Sequence, residues 1–198
     1  MKCLVMALAV LAASSNGSAA TPDEGATDAL TRAQAAATDF SARLRQALQK
    51  EIAEKGVAAA VDFCRAEAPV IATAVMAEHD VRLGRVALQG RNRNPANAPG
   101  GWQAAALSQF RMSFEQGVAA ADLVFVQRDH LPADTQLRLL RGIAMERPCL
   151  ACHGHDIAPP VAHAIARNYP DDGATGFEMG DLRGALWVEV PAAKSASR

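Results

Sequence analysis

The chain has 198 residues, half of them apolar, with 20 basic against 21 acidic side chains and a net charge of −1. That length fits one domain able to bury a core of its own. A near-neutral balance without a basic stripe argues against nucleic acid as a partner.

Residues 1–20, MKCLVMALAVLAASSNGSAA, hold one Lys, an apolar run from Cys3 to Ala13 and small polar residues ending Ser18-Ala19-Ala20. This is the order of a secretory signal, and it predicts cleavage after Ala20 and a periplasmic location. The apolar run is too short for a permanent membrane span, and no later segment approaches one. Cys3 lies inside the signal, which argues against a lipid-anchored cysteine. Removing residues 1–20 takes away Lys2 and Cys3, leaving 19 basic and 21 acidic groups, or −2, and three cysteines: Cys64, Cys149 and Cys152. An odd thiol in an oxidising compartment needs an explanation.

Thr21–Thr27 reads as a short lead containing Gly and Pro. Asp28 to about Lys55, rich in Ala, Leu, Gln and Arg and free of Pro and Gly, predicts a long helix. Gly56 breaks it, and a second helix runs from Val57 to about Glu78. Its apolar residues Val57, Val61, Cys64, Ala68, Ile71 and Val75 fall at alternating steps of four and three, which makes one buried face. Pro69 lies within that helix and predicts a kink or a split near Glu67. "VRLGRVALQG" (81–90) alternates as a strand, and "RNRNPANAPGG" (91–101) is dense in turn residues. Trp102–Gln116 reads as a helix. "ADLVFVQRD" (121–129) and "QLRLLRGIAME" (136–146) read as two strands, although the Leu-rich second segment also suits a helix. A short helix over Val161–Arg167, a loop "NYPDDGATGFEMGD" (168–181) and a strand "RGALWVEV" (183–190) complete the chain. Helices followed by strands, without regular βαβ alternation, predict an α+β domain with an antiparallel sheet.

The motif that carries chemistry is "ERPCLACHGHD" (146–156). Cys-x-x-Cys-His is the attachment pattern for haem c: two thiolates add across the haem vinyls, and the next His turns beneath the ring to bind iron. The spacing lets Cys149 and Cys152 reach one porphyrin edge while His153 lies under its centre. Export strengthens this reading, because covalent haem attachment happens outside the cytoplasm. A zinc site would need two further ligands at suitable spacing. Only His155 and His163 offer themselves, and there is no second CxxC. A redox dithiol would start a helix after a strand in a βαβ context, which Pro148 in front and His-Gly behind do not build. A structural Cys149–Cys152 disulfide is the remaining alternative.

Iron held by His153 wants a sixth ligand. Cys64, on the buried stripe of the second helix, could supply a thiolate; equally, Cys there could be a small apolar residue filling the core. His79 extends the same stripe but lies about 22 Å further along the helix, so only one of the two can meet the iron. Met76, Met112, Met145 and Met179 are further candidates, each also readable as core, while His130 and His163 read as surface or loop residues. Arg85, Arg91 and Arg93 could meet haem propionates or belong to a solvated loop. Asn94, Pro95, Asn97 and Pro99 read as turn residues, and Asp171, Asp172 and Asp181 as turn-formers and caps rather than catalysts.

"FCRAEAP" (63–69), "RNPANAP" (93–99) with Trp102 just after it, "CLACHG" (149–154) and "YPDDGATGFEMGDLRGALWVEV" (169–190) occur in this order. Together they resemble a family of exported mono-haem c-type proteins with a PAS-like fold, first met as a photosystem-associated haem protein and recurring as the sensor part of bacterial signalling proteins. The resemblance spans Val57 to Val190. It implies a PAS-like antiparallel sheet flanked by helices, with the long N-terminal helix packed along it. It also implies a His/Cys axial pair, the cysteine mapping onto Cys64 through the C-x-x-x-A-P pattern Cys64-Arg65-Ala66-Glu67-Ala68-Pro69. Arg91-Asn92, ahead of Arg93, departs from the family loop.

The expected organisation is a signal peptide (1–20), an N-terminal lead and helix (21–55), a c-type haem-binding PAS-like domain (56–191) and a tail (192–198). Thiolate ligation pushes electron density onto iron and lowers its reduction potential. A ligand that leaves on reduction, or yields to NO or CO, can report redox state or a diatomic gas. The expected function is therefore a periplasmic redox or gas sensor carrying one covalent haem c, with an unknown redox or signalling protein as partner. No kinase, methyl-accepting or membrane segment accompanies it, so a signal would pass to a separate protein, which favours the alternative of a soluble monohaem electron carrier. No paired carboxylates or nucleophile–base arrangement suggest an enzyme.

Overall fold

The computed structural model describes residues 22–193, so the signal sequence expected at 1–20 and the end of the tail lie outside the described residues. Two helices open the fold, α1 (Pro22–Lys55) and α2 (Val57–His79). They are followed by β1 (Arg82–Ala87), α3 (Gly101–Glu115), β2 (Val124–Gln127) and β3 (Thr135–Ala144). A single helical turn α4 (Leu150–His153), helix α5 (Pro159–Asn168) and strand β4 (Leu182–Pro191) complete it. The four strands form one antiparallel sheet in the order β1-β4-β3-β2, flanked by helices, so the chain is α+β. Among the described residues no helix is long and apolar enough to cross a membrane.

Side-chain alternation sends the two faces of the sheet to different partners. Leu83, Leu137, Leu139, Leu186, Val188 and Val190 face α1 and α2, where Ala29, Ala33, Ala36, Ala37, Phe40 and Val75 complete a core. The alanines recur at helical spacing and let α1 approach closely. Val86, Leu140 and Ala185 face the other way, onto Ala106, Leu107 and Phe110 of α3. Leu137, Leu139, Leu140, Val188 and Val190 are less than 2% exposed, and each buried side chain of this kind contributes about 2 kcal/mol relative to an exposed one. The Leu-rich segment is thus a strand. Flanked by β4 and β2, its leucines are buried on both faces, and packing overrides their helical preference.

Two boundaries differ from the sequence reading. The first helix extends back through the predicted lead to Pro22. Pro, Asp and Glu suit a first helical turn, and Gln136 of β3 donates its side-chain amide to the Gly25 carbonyl at 3.2 Å. Helix α2 also continues as one element through Pro69. The carbonyl that Pro69 leaves without a partner belongs to exposed Arg65, where water can take the bond.

Candidate functional site

The site forms where the N-terminal half of α2, the α4 turn and the loop before β4 meet. Helix α5 braces that half of α2: Val61 packs on Val161, Ala164, Ile165 and Tyr169, with Cys152 and Ile157 against the same cluster. Arg167 of α5 pairs with Asp62 at 3.0 Å, and Asn168 donates to the same carboxylate at 2.6 Å. Cys149 and Leu150 pack instead on Met145, Ala174 and Phe177. The motif therefore straddles two small cores, one thiol resting on each. All three described cysteines are free and half-buried, and Cys64 is close enough to both Cys149 and Cys152 for their charges to interact.

The loop at 172–177 fixes the motif. The Phe177 amide donates to the His153 carbonyl at 3.0 Å and the Gly176 amide to the Gly154 carbonyl at 2.9 Å. Gly154 lies so close to the preceding turn that a Cβ there would sit 2.7 Å from the Leu150 carbonyl oxygen. Arg93 ties the two segments together: it donates to the Cys152 carbonyl at 2.6 Å and pairs with Asp172 at 2.9 Å, both side chains about nine-tenths buried. Asp172 in turn accepts the Ala174 amide at 2.9 Å. Arg91 lies over the Phe177 ring, 4.0 Å from its centroid.

His153 Nδ1 lies 2.7 Å from the Ala174 carbonyl oxygen. A carbonyl only accepts, so Nδ1 carries the proton and Nε2 keeps its lone pair. Burial first, then the charges of Arg183 and Arg93, push the His153 pKa down to about 2, so the ring is neutral. A neutral imidazole held by its far nitrogen on a backbone carbonyl is the usual arrangement of a metal-binding histidine.

Three arginines surround this group. Arg85 and Arg183 come from the sheet, and Arg93 from the loop after β1. Burial pushes the Cys64 thiol up, while the positive charges of Arg85, Arg93 and Arg183 pull it back toward the thiolate. Arg183 reaches this face because β4 is irregular. Leu182 and Ala185 both belong to the α3 side, three residues apart, which strict alternation forbids. The register slips where Ile143 faces Gly184 but Ala144 faces Leu182. The extra residue is a β-bulge that re-aims the Arg183 side chain. Gly184 sits there at φ +145, with its missing Cβ only 2.2 Å from the Val86 carbonyl oxygen.

The other candidates lie elsewhere. His79 sits at the far end of α2, its Nε2 3.0 Å from Asp39 of α1. Met76 packs against the α1 core, and Met112 and Met179 are exposed. Met145 is fully buried behind Cys149, beside the loop that holds His153. His130 and His163 are exposed. Among the described residues no three His, Cys, Asp or Glu side chains converge as a bare metal ion would need. Asn94 caps the short turn at Pro95–Asn97 by accepting the Ala96 amide at 3.0 Å. Sequence reasoning missed Arg183, and it read Asp172 only as a turn residue although it also neutralises Arg93.

The Tll0287-like family model matches residues 22–191. The chain belongs to the Tll0287-like family. A crystal structure of the cyanobacterial haem protein Tll0287 superposes with a TM-score of 0.56 at 27% sequence identity, covering 89% of this chain and 100% of that one. No curated protein matches. The match to the Tll0287-like family takes in α1 as well as the sheet and the site, so the long first helix is part of the shared unit.

Proposed function

We propose that this chain is an exported protein carrying one covalent haem c, with Cys149 and Cys152 as thioether anchors and His153 Nε2 and Cys64 Sγ as axial ligands. The observation that carries this reading is the His153 Nδ1–Ala174 hydrogen bond, which leaves Nε2 free and the ring neutral beside two unbridged thiols. Cys64 stands across from the motif on α2, and the three nearby arginines favour a thiolate there. The residues therefore fit a haem: two thiols at attachment spacing, one oriented imidazole, a second ligand from another element and cationic groups for carboxylates. A haem-protein relative supports the same cofactor, and a PAS-like architecture suits the sheet with its flanking helices.

Bound here, haem supplies a redox-active iron. The chain's own contribution is to orient His153 through Ala174, to hold the motif against loop 172–177 with Arg93, and to present Cys64 from a helix braced by α5. His/thiolate ligation favours a low potential. We read the protein as a periplasmic sensor of redox state or of a diatomic gas such as NO or CO, signalling to a separate protein partner, rather than as an enzyme.

An optical spectrum of the periplasmic holoprotein, oxidised and dithionite-reduced, beside Cys64→Ser, tests this. The expected result is a c-type spectrum whose thiolate features vanish in the variant, with CO or NO binding after reduction. A variant spectrum identical to the parent removes Cys64 as ligand and favours an electron carrier. A protein without covalent haem overturns the assignment of residues 149–153.

A further inference from the structure

Two positive charges at the site have no ion-pair partner among the described residues. Arg82 pairs with Asp134 and Glu189, Arg138 with Glu189, and Arg93 with Asp172. Arg141 donates to Ala37, Thr38 and Ser41, and Arg91 is taken up by Phe177 and the Gly176 carbonyl. Among the described residues the guanidinium groups of Arg85 and Arg183 make neither a side-chain hydrogen bond nor an ion pair. Both side chains are half-buried, and Arg183 lies close enough to Arg85 and Arg93 for their like charges to repel it. An unpaired cation withdrawn from water is costly, and two side by side more so. Folds keep such groups where a bound anion compensates them. Here the backbone itself is bent to bring the second one in, since the bulge at Gly184 turns Arg183 onto the Arg85 side of the sheet.

We propose that Arg85 and Arg183 clamp the two propionate carboxylates of the haem, one guanidinium to each. This rests on the haem reading above. The charges close: a ferric porphyrin is +1, a thiolate from Cys64 cancels it, and two propionates leave −2, which Arg85 and Arg183 balance while Arg93 stays with Asp172. The planar fork of Arg matches a carboxylate with two parallel hydrogen bonds. The pair thereby fixes the haem's rotational setting over His153. It also places two positive charges beside an iron that gains an electron on reduction.

The test uses the periplasmic holoprotein with Arg85→Gln, Arg183→Gln, the double variant, and the charge-conserving Arg85→Lys and Arg183→Lys. Arg111→Gln serves as a remote control, its side chain 62% exposed. Covalent haem per chain, resonance Raman propionate-bending bands and the reduction potential are read on each. Each Gln variant should shift one propionate band and lower the potential, the double variant both bands and further, and Arg111→Gln neither. The Lys variants should shift the bands while keeping the potential close to the parent's. They carry the test if a Gln variant does not mature. Unchanged bands in haem-loaded variants overturn the clamp alone. Loss of thiolate features with unchanged bands also overturns it, because the arginines would then act on Cys64. A parent chain without covalent haem removes the clamp and the haem reading together.

Discussion

The two ends of α2 are built on opposite principles. At the C-terminal end every charge has a partner from α1: His79 with Asp39, Glu78 with Arg43 and Asp80 with Arg32, around a Val75 that is fully buried. At the N-terminal end Cys64 lies near Arg85 and Arg183, which have no ion-pair partner among the described residues, and near a histidine whose Nε2 makes no hydrogen bond there. The first end is complete as polypeptide; the second, on the reading proposed above, is completed by haem. Charges satisfied within the chain serve the fold, and charges left over mark the proposed haem site.

Gly184→Ala should act most strongly on this contrast, because the added Cβ meets the Val86 carbonyl oxygen at 2.2 Å with φ at +145. A loss of about 3–4 kcal/mol is expected from the clash and strain together, read as a lower urea midpoint, with covalent haem falling in parallel. A stable variant with full haem content would mean the bulge does not matter.

Asp172→Asn comes next. It leaves Arg93 buried without its counter-ion and should cost about 3 kcal/mol, whereas Arg85→Gln removes a charge that has no partner and should leave the unfolding midpoint of the haem-free chain unchanged or raised. Equal losses from the two substitutions would erase the distinction drawn between paired and unpaired arginines. At the closed end, Val75→Ala opens a cavity at a fully buried position, and about 2 kcal/mol of stability should disappear while the haem spectrum stays as it was.

The smallest effect belongs to Asp39→Asn. His79 hydrogen bonding, more than Arg43, holds the Asp39 carboxyl below its ordinary range. A carboxylate depressed in the folded state stabilises the protein above its unfolded pKa and loses that contribution as pH falls through the folded one. For a pair about one-quarter exposed the effect is about 0.5 kcal/mol. Melting curves of parent and variant should therefore differ slightly at pH 7 and converge as the pH drops below about 4. A gap that persisted in acid would contradict this origin.

Much of the frame was legible because it is written in periodicity and spacing. The stripe from Val57 to Val75, the alternating strands and the Cys149–His153 motif all recur in the structure as elements or as neighbours. What escaped depends on contacts between distant segments. The acceptor that orients His153 is the Ala174 backbone carbonyl, and a carbonyl leaves no trace in the identity of its residue. Arg93 and Asp172 are 79 positions apart, so neither alone announces the pair. Pro22 and Gly25 resemble breakers by composition, yet a helix start accepts Pro, and Gln136 holds Gly25 in place.

The bulge in β4 shows where such information can hide. A strand assigns faces by parity, so one supernumerary residue exchanges inside for outside for everything beyond it. Straightened, β4 would turn Arg183 toward the apolar side of α3 and put Leu182 in its place, reversing the polarity of the pocket without changing a single residue type. The sign of the site's charge is thus stored as a count along the chain, and two relatives with the same residues in this stretch could still differ in what they attract.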